Sequence, residues 1–281
     1  MQTLAQIRAL LDQHGLSPKK ALGQNFLIDK NLLAKLAAAA GAGAADLVLE
    51  IGPGTGTLTE ALLERGCTVV ACELDTGLAA LLRENLSGPI ASGHLRIVEG
   101  DCLGKGKRLS PEVAGVLGER AFTLVANLPY QAGTPLMIDL LLHHPRCRVL
   151  AATIQREVGE RLTAKPGSRD YGLLSIVAQA MAEIEWVADL SPECFWPRPE
   201  VASCMVLLRR RAVPLAHDPD RLAAFCHTLF SKRRKQLGAI LGRTTPWPQG
   251  VAATMRPEEL TVPQVVELSE VISAPRQEPA P

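Results

Sequence analysis

Short apolar runs and helix-spaced stretches alternate through the first half of this chain. Five runs have the length and composition of buried strands: Leu47–Ile51, Thr68–Glu73, Leu95–Glu99, Phe122–Ala126 and Val149–Ile154. Between and after them, apolar positions recur at helical spacing over Thr57–Arg65, Thr76–Asn85, Pro135–His143 and Arg156–Leu162. Strand–helix alternation sustained over about 110 residues predicts an α/β fold with a parallel, doubly wound sheet. Ahead of it, residues 1–18 read as a helix ending near His14-Gly15. A second helix is predicted over Asp29–Ala40, with Asp29 as N-cap and Gly41 as its stop. Two further strands, Ile184–Ala188 and Ala202–Arg209, flank the Pro-rich stretch Ser191–Pro199 and read as an antiparallel edge pair. After Val213-Pro214 the pattern is helical, which places a domain boundary near 212: residues 1–212 in one domain and 213–281 in a small helical one. Pro275–Pro281 is expected to fray.

Composition narrows the class. At 281 residues the chain can bury a sizeable core, and its 47 % hydrophobic and 21 % charged residues are ordinary for a globular enzyme. No apolar run reaches the ~18 residues that span a bilayer. The start Met1-Gln-Thr-Leu carries no basic segment followed by an apolar core, so no signal peptide is expected and the location is read as cytoplasmic. Seven cysteines, odd in number and free of CxxC spacing, read as reduced buried thiols. No Cys/His cluster suggests a metal site; His143 and His144 are adjacent and read as a polar helix end.

The net charge of +1 hides an uneven distribution. Residues 205–245 hold nine Lys/Arg against Asp218 and Asp220. Within them Lys232-Arg-Arg-Lys235, expected on a helix, is either a solvated face or a phosphate-binding cluster; the local imbalance favours phosphate.

Candidate chemistry sits where predicted strands end. Gly52-Pro-Gly-Thr-Gly56 lets the chain turn sharply and brings backbone close to a ligand. The dinucleotide pattern would need glycine at 57, where Thr57 stands; the G-x-G-x-G spacing suits S-adenosylmethionine (SAM), which has no pyrophosphate. Glu73, 21 residues after Gly52, can chelate both hydroxyls of a ribose. Asp101 can accept from an adenine amine, or simply cap a turn. Asn127-Leu128-Pro129-Tyr130 can hold a planar amine. The Asn127 side-chain oxygen and the Leu128 carbonyl accept from its hydrogens, Pro129 fixes the turn and Tyr130 gives a stacking face. In a chain with 4 % aromatics, Phe195 and Trp196 in the Pro-rich loop offer a second stacking surface; Trp196 serves equally well as a core plug.

These residues together resemble the ribosomal RNA adenine dimethyltransferases, specifically the bacterial small-subunit type. The matching pieces are Gly23-Gln-Asn-Phe-Leu27, Glu50-Ile-Gly-Pro-Gly54, Glu73-Leu-Asp75, Gly100-Asp101, Asn127-Leu-Pro-Tyr130, Gln155-Arg-Glu-Val158, Tyr171-Gly172, Phe195-Trp-Pro-Arg-Pro-Glu-Val201 and Phe230-Ser-Lys-Arg-Arg-Lys235. They follow family order over about residues 18–242. The resemblance implies a Rossmann-like class I SAM methyltransferase domain and a small all-α, RNA-binding C-terminal domain. It implies N6,N6-dimethylation of two adjacent adenosines in the 3′-terminal hairpin of small-subunit (16S) rRNA, by a monomer acting on rRNA or an immature 30S particle, with no membrane or metal involved. By motif position, SAM contacts fall to Asn25, Leu27, Gly52, Glu73, Asp101 and Asn127. Those to the target base fall to Asn127, Leu128, Tyr130 and Phe195, with Pro129 holding the turn. The chain departs from the family at Gln131-Ala132-Gly133, where Asn-Ile-Ser or similar is usual, at Ala126, and in the longer connection Gly104–Glu119. The first departure bears on rate or second methylation. Rival readings are a large-subunit rRNA adenine methyltransferase, a non-catalytic RNA-binding assembly factor, and a DNA adenine methyltransferase.

Overall fold

The computed structural model describes residues 1–273; the expected fraying of Pro275–Pro281 lies outside them. Its centre is a seven-stranded sheet. Strands β2 (Leu47–Ile51), β3 (Thr68–Glu73), β4 (Leu95–Glu99), β5 (Phe122–Asn127) and β6 (Cys147–Gln155) coincide with the five apolar runs to within a residue or two, and follow the two-residue β1 (Phe26–Leu27). Helices between them are α3 (Thr57–Glu64), α4 (Thr76–Asn85), the short α5 (Ser87–Ala91), α6 (Pro111–Leu117) and α7 (Tyr130–His143). The sheet order is β4-β3-β2-β5-β6-β9-β7, with β7 at Ala182–Leu190 and β9 at Ser203–Arg210. The pairs β4/β3, β3/β2, β2/β5 and β5/β6 are parallel, and β9 runs antiparallel to β6 over the seven pairs from Val149↔Arg209 to Gln155↔Ser203. From β2 the chain winds outward to β3 and β4, then returns to β5 and β6 on the other side. The carboxyl ends of β2 and β5 thus flank the switch point at which such sheets open a crevice. Every residue of β2 is buried, as expected of a central strand covered on both faces.

Local signals set the helix ends. Asp29 Oδ1 accepts from the amides of Asn31 (2.9 Å) and Leu32 (3.1 Å) and so caps α2 (Lys30–Ala39). The first helix, α1 (Leu4–Gln13), is capped by Thr3 and buries Ile7 and Leu11 against Leu78 and Leu81 of α4. Helix α6 lies inside the long connection after β4; Ser110 caps it and Pro111 occupies its first turn, where a missing amide costs nothing.

Beyond the short β1, α5 and α6, which the sequence pattern does not mark, three differences from expectation stand out. Helix α7 starts at Tyr130, with Pro135 inside it, rather than at Pro135; Pro129 ends the preceding turn and delivers the chain directly into the helix. Residues 232–236, expected on a helix, form a turn between α10 (Pro219–Ser231) and α11 (Leu237–Leu241). And α9 (Leu173–Met181), preceded by α8 (Arg156–Thr163), is a helix that periodicity did not mark, because it is apolar on nearly all sides. Ile176 and Ala180 of α9 join Leu222, Cys226 and Leu229 of α10 and Val265 and Leu268 of α12 (Val262–Ser273) in one core.

That core decides the division of the chain. One compact unit holds Met1–Gly159 with Ile184–Arg210, the other Glu160–Glu183 with Arg211 onward. The second unit therefore takes in α9 as well as the residues beyond 212. Its apolar flank needs the C-terminal helices to be covered, whereas sequence order suggested a single cut. Among the described residues no helix is long and apolar enough to cross a membrane.

Candidate active site

A cavity of about 330 Å³ opens at the carboxyl ends of β2, β3 and β5 in the first unit. Its walls come from the residue 21–27 segment, the glycine loop after β2, the ends of β3 and β4, the Asn127–Ala132 turn, and Phe195. Asn25, Leu27, Gly52, Glu73, Asp101, Asn127, Leu128, Pro129, Tyr130 and Phe195 all line it, so the residues expected to contact the cofactor and the target base meet at one place.

The glycine loop is packed too closely for side chains. Gly54 sits at φ +62°, and a Cβ there would lie 2.7 Å from the Phe26 ring; at Gly52, φ +68°, a Cβ would meet Pro129 at 3.2 Å. Pro129 thus packs against the backbone of the loop after β2, and the two strand-end turns face each other across the switch point.

Glu73 is buried, and its carboxylate is tied to this loop. Oε2 accepts from the Gly54 amide at 3.1 Å, and Oε1 accepts from the Asp75 amide at 2.9 Å. Burial raises its pKa, against the pull of those amides. Asp101 is exposed and its Oδ1 accepts from the Leu103 amide at 2.9 Å, so it caps a turn while lining the cavity. Asn127 Nδ2 donates to the Asn25 carbonyl at 2.9 Å across 102 residues of sequence. This bond fixes the amide so that its oxygen is the group left to accept. The Leu128 amide donates to the Thr153 carbonyl at 3.1 Å. Phe195 and Trp196 form a short strand, β8, pairing antiparallel with β1 so that Leu27 faces Phe195 and Phe26 faces Trp196. Phe195 is buried and reaches the cavity. Trp196 does not line it: its ring stacks on Phe26 (6.2 Å, 25°) under the Arg8 guanidinium, which makes it a core plug.

Sequence reasoning passed over three groups here. Glu50, quoted only as part of a motif, is 1 % exposed; its carboxyl accepts from Thr59 Oγ1 at 2.7 Å, and burial pushes its pKa up to about 8. An acid within an apolar run was the available signal. Asp75 caps α4 and takes Lys19 Nζ (2.9 Å) and Gln24 Nε2 (3.0 Å), tying the segment before β1 to the end of β3. Hydrogen bonds from these groups and from the Gly77 and Leu78 amides outweigh its burial and hold it below the usual carboxylate range. Ser203, at the start of β9, shares a hydrogen bond of 2.8 Å with the Tyr130 hydroxyl.

The sequence model of the family described as "Ribosomal RNA adenine dimethylase" matches residues 15–273. The chain belongs to this family. A relative from Magnetococcus marinus named ribosomal RNA small subunit methyltransferase A is 38 % identical over 278 residues, covering 96 % of this chain and 97 % of that one. One of the same name from Moorella thermoacetica is 41 % identical over 242 residues, 83 % of this chain and 82 % of its own. Among solved structures, the 23S rRNA methyltransferase ErmE superposes with TM-score 0.68 at 27 % identity, over 88 % of this chain and 99 % of its own. A dimethyladenosine transferase from Plasmodium falciparum superposes with TM-score 0.70 at 24 % identity, over 85 % of this chain and 94 % of its own, and confirms the fold.

For a member of this adenine dimethylase family, the disposition of basic residues matters, and it differs from a single patch. Arg210, on β9 in the first unit, gives its guanidinium to the carbonyls of Leu140, Leu141, His144 and Cys147. Arg211 bonds the Gln179 carbonyl and Glu183. Arg233 donates to the carbonyls of Ser168 (2.8 Å) and Arg169 (2.5 Å) and lies 3.6 Å from Glu258. These three hold the fold. Lys232, Arg234 and Lys235 are exposed on the turn that Arg233 anchors. None of the seven cysteines is in a disulfide, and burial pushes the Cys72, Cys102, Cys147 and Cys226 thiols up to about 12.

Proposed function

We propose that the protein dimethylates the N6 amines of two adjacent adenosines in the 3′-terminal hairpin of small-subunit rRNA, using SAM. The observation that carries this reading is the meeting of the Asn127–Tyr130 turn with the glycine loop across one cavity. Family membership and relatives at 38–41 % identity that carry the small-subunit name support it over the large-subunit alternative, whose structural representative stands at 27 %. The cavity fits the cofactor by its donor set. A glycine loop that lines the cavity lets a nucleoside lie against backbone, a buried carboxylate at the end of β3 suits a ribose diol, and Asp101 and Asn25 share the wall. SAM supplies an electrophilic methyl group on a cationic sulfur.

The work left to this chain is to orient a weak nucleophile. The lone pair of an adenine amine is delocalised into its ring. The Asn127 oxygen, set by the bond to Asn25, and the Leu128 carbonyl accept from its two hydrogens and favour a pyramidal nitrogen aimed at the methyl carbon. Tyr130 and Phe195 hold the base by stacking. The methylated nitrogen is acidic enough to release its proton to water, so no strong base is required. Rate enhancement rests on orientation and preorganised dipoles. Lys232, Arg234 and Lys235 in the C-terminal helical region meet RNA phosphates. The protein works as a cytoplasmic monomer on rRNA or an immature 30S particle.

The test is mass spectrometry of small-subunit rRNA from a deletion strain complemented with wild type or Asn127→Ala. Dimethyladenosine should return with wild type, and the purified variant should be slower by roughly 10²–10³ at saturating cofactor and RNA, the scale of losing one preorganised polar group. Wild-type turnover by Asn127→Ala would reduce this strand end to a turn.

A further inference from the structure

We propose that Ser203 is a positioning residue that fixes the Tyr130 ring and thereby favours the second of the two methyl transfers. The inference rests on the reading of Tyr130 as the platform for the target base.

Sheet topology brings the two residues together. Because β9 runs antiparallel to β6, its first residue lies beside the last residue of β6, in the register Gln155↔Ser203. That places Ser203 at the same end of the sheet as Asn127 and Tyr130, although it is 73 residues from Tyr130 in sequence. Ser203 is 1 % exposed. Its hydroxyl and that of Tyr130 are 2.8 Å apart, and among the described residues no other side chain bonds the serine oxygen. The Tyr130 hydroxyl is thus turned away from chemistry and serves as a tether at the far end of the ring. The same short connection, from Phe195 to Ser203, carries one cavity wall at its start and this tether at its end.

The tether matters unequally for the two transfers. An unmodified adenine amine offers two hydrogens, one for the Asn127 oxygen and one for the Leu128 carbonyl. After the first transfer the amine has one hydrogen and a methyl group, so one of those contacts is gone. Base orientation then depends more on stacking, and a ring free to swing about its side-chain bonds presents more unproductive poses. A fixed ring restores the second transfer without adding a contact to the amine.

Single-turnover time courses on immature small subunits, with mono- and dimethyladenosine separated by mass spectrometry, give the two rate constants. Ser203→Ala and Tyr130→Phe each remove the tether from one side. Each should slow the second transfer relative to the first by about fivefold, the equivalent of one neutral hydrogen bond. The double variant should be no worse than either single one, and cofactor affinity should not move. If both single variants partition like wild type while Tyr130→Ala is impaired, the inference is overturned and the bond is only structural. If Tyr130→Ala itself behaves as wild type, the reading of Tyr130 as a platform fails instead. Should Ser203→Ala not fold, Tyr130→Phe alone decides by the same partition.

Discussion

Glu50→Gln should stabilise the protein increasingly as pH rises above about 4.5 and leave it nearly unchanged below that. Glu50 lies 1 % exposed at the end of β2, and burial, opposed by the Thr59 bond and aided by the charge of Glu73, pushes its pKa from 4.5 to about 8. In the folded state the carboxyl is therefore protonated at neutral pH; in the unfolded chain it ionises. The contribution of such a group is fully present below 4.5 and is lost as pH rises through about 8. At about 1.36 kcal/mol per unit, that loss reaches ~3 kcal/mol by pH 7 and ~4 kcal/mol by pH 8. Glutamine is neutral throughout, nearly isosteric, and keeps an oxygen to accept from Thr59.

Urea denaturation followed by tryptophan fluorescence at steps from pH 5 to 9 reads this directly. The quantity to compare is the difference between variant and wild type at each pH, in which the other titrating groups largely cancel. It should grow with pH and flatten beyond about 8. Glu73→Gln, which removes only the weakest of the three influences on Glu50, should make the difference flatten at a lower pH and a smaller plateau without abolishing it. A difference that stays constant from pH 5 to 9 would mean that Glu50 is ionised in the folded protein, and the argument from burial would be wrong.

Glu73→Ala should weaken SAM by ~1–3 kcal/mol, since hydrogen bonds to a charged, buried acceptor are lost, with RNA affinity little changed; equal affinity in calorimetry would remove Glu73 from the cofactor site. Arg234→Glu should lower the salt slope of RNA binding by about one unit or more and leave thermal stability alone, because its side chain is exposed. Arg233→Glu should instead lower the melting temperature, because it breaks the bonds to Ser168 and Arg169 and places an acid beside Glu258; equal melting temperatures for the two variants would refute the division between anchor and contact.

The parallel strands were legible because the central ones are covered runs of apolar residues and even the edge strand β4 keeps Leu95, Ile97 and Val98, and the cavity was legible because its chemistry sits at strand ends. Glycines, an acid after β3 and the Asn-Leu-Pro-Tyr turn are residue types that strand ends otherwise have little reason to combine. What escaped was information held in pairing rather than in pattern. Helix α9 is apolar on nearly all sides, with only Ser175 and Gln179 breaking it, because the C-terminal helices help to cover it, so period alone could not separate it from a strand. The basic run read as one electrostatic feature, yet Arg210, Arg211 and Arg233 are consumed by backbone carbonyls that only the fold supplies.

Ser203 shows the same limit at the site itself. In sequence it is a small polar residue opening an apolar strand, and nothing nearby marks it. Its meaning depends on β9 turning back antiparallel along β6, which places its first residue at the end of the sheet where the parallel strands finish. Had β9 been parallel, that position would lie at the opposite end, and Tyr130 would have needed its anchor from elsewhere. The direction of one strand thus links the wall at Phe195 to the platform at Tyr130. A perturbation of the intervening Pro197-Arg-Pro199 stretch is then expected to reach both rings together.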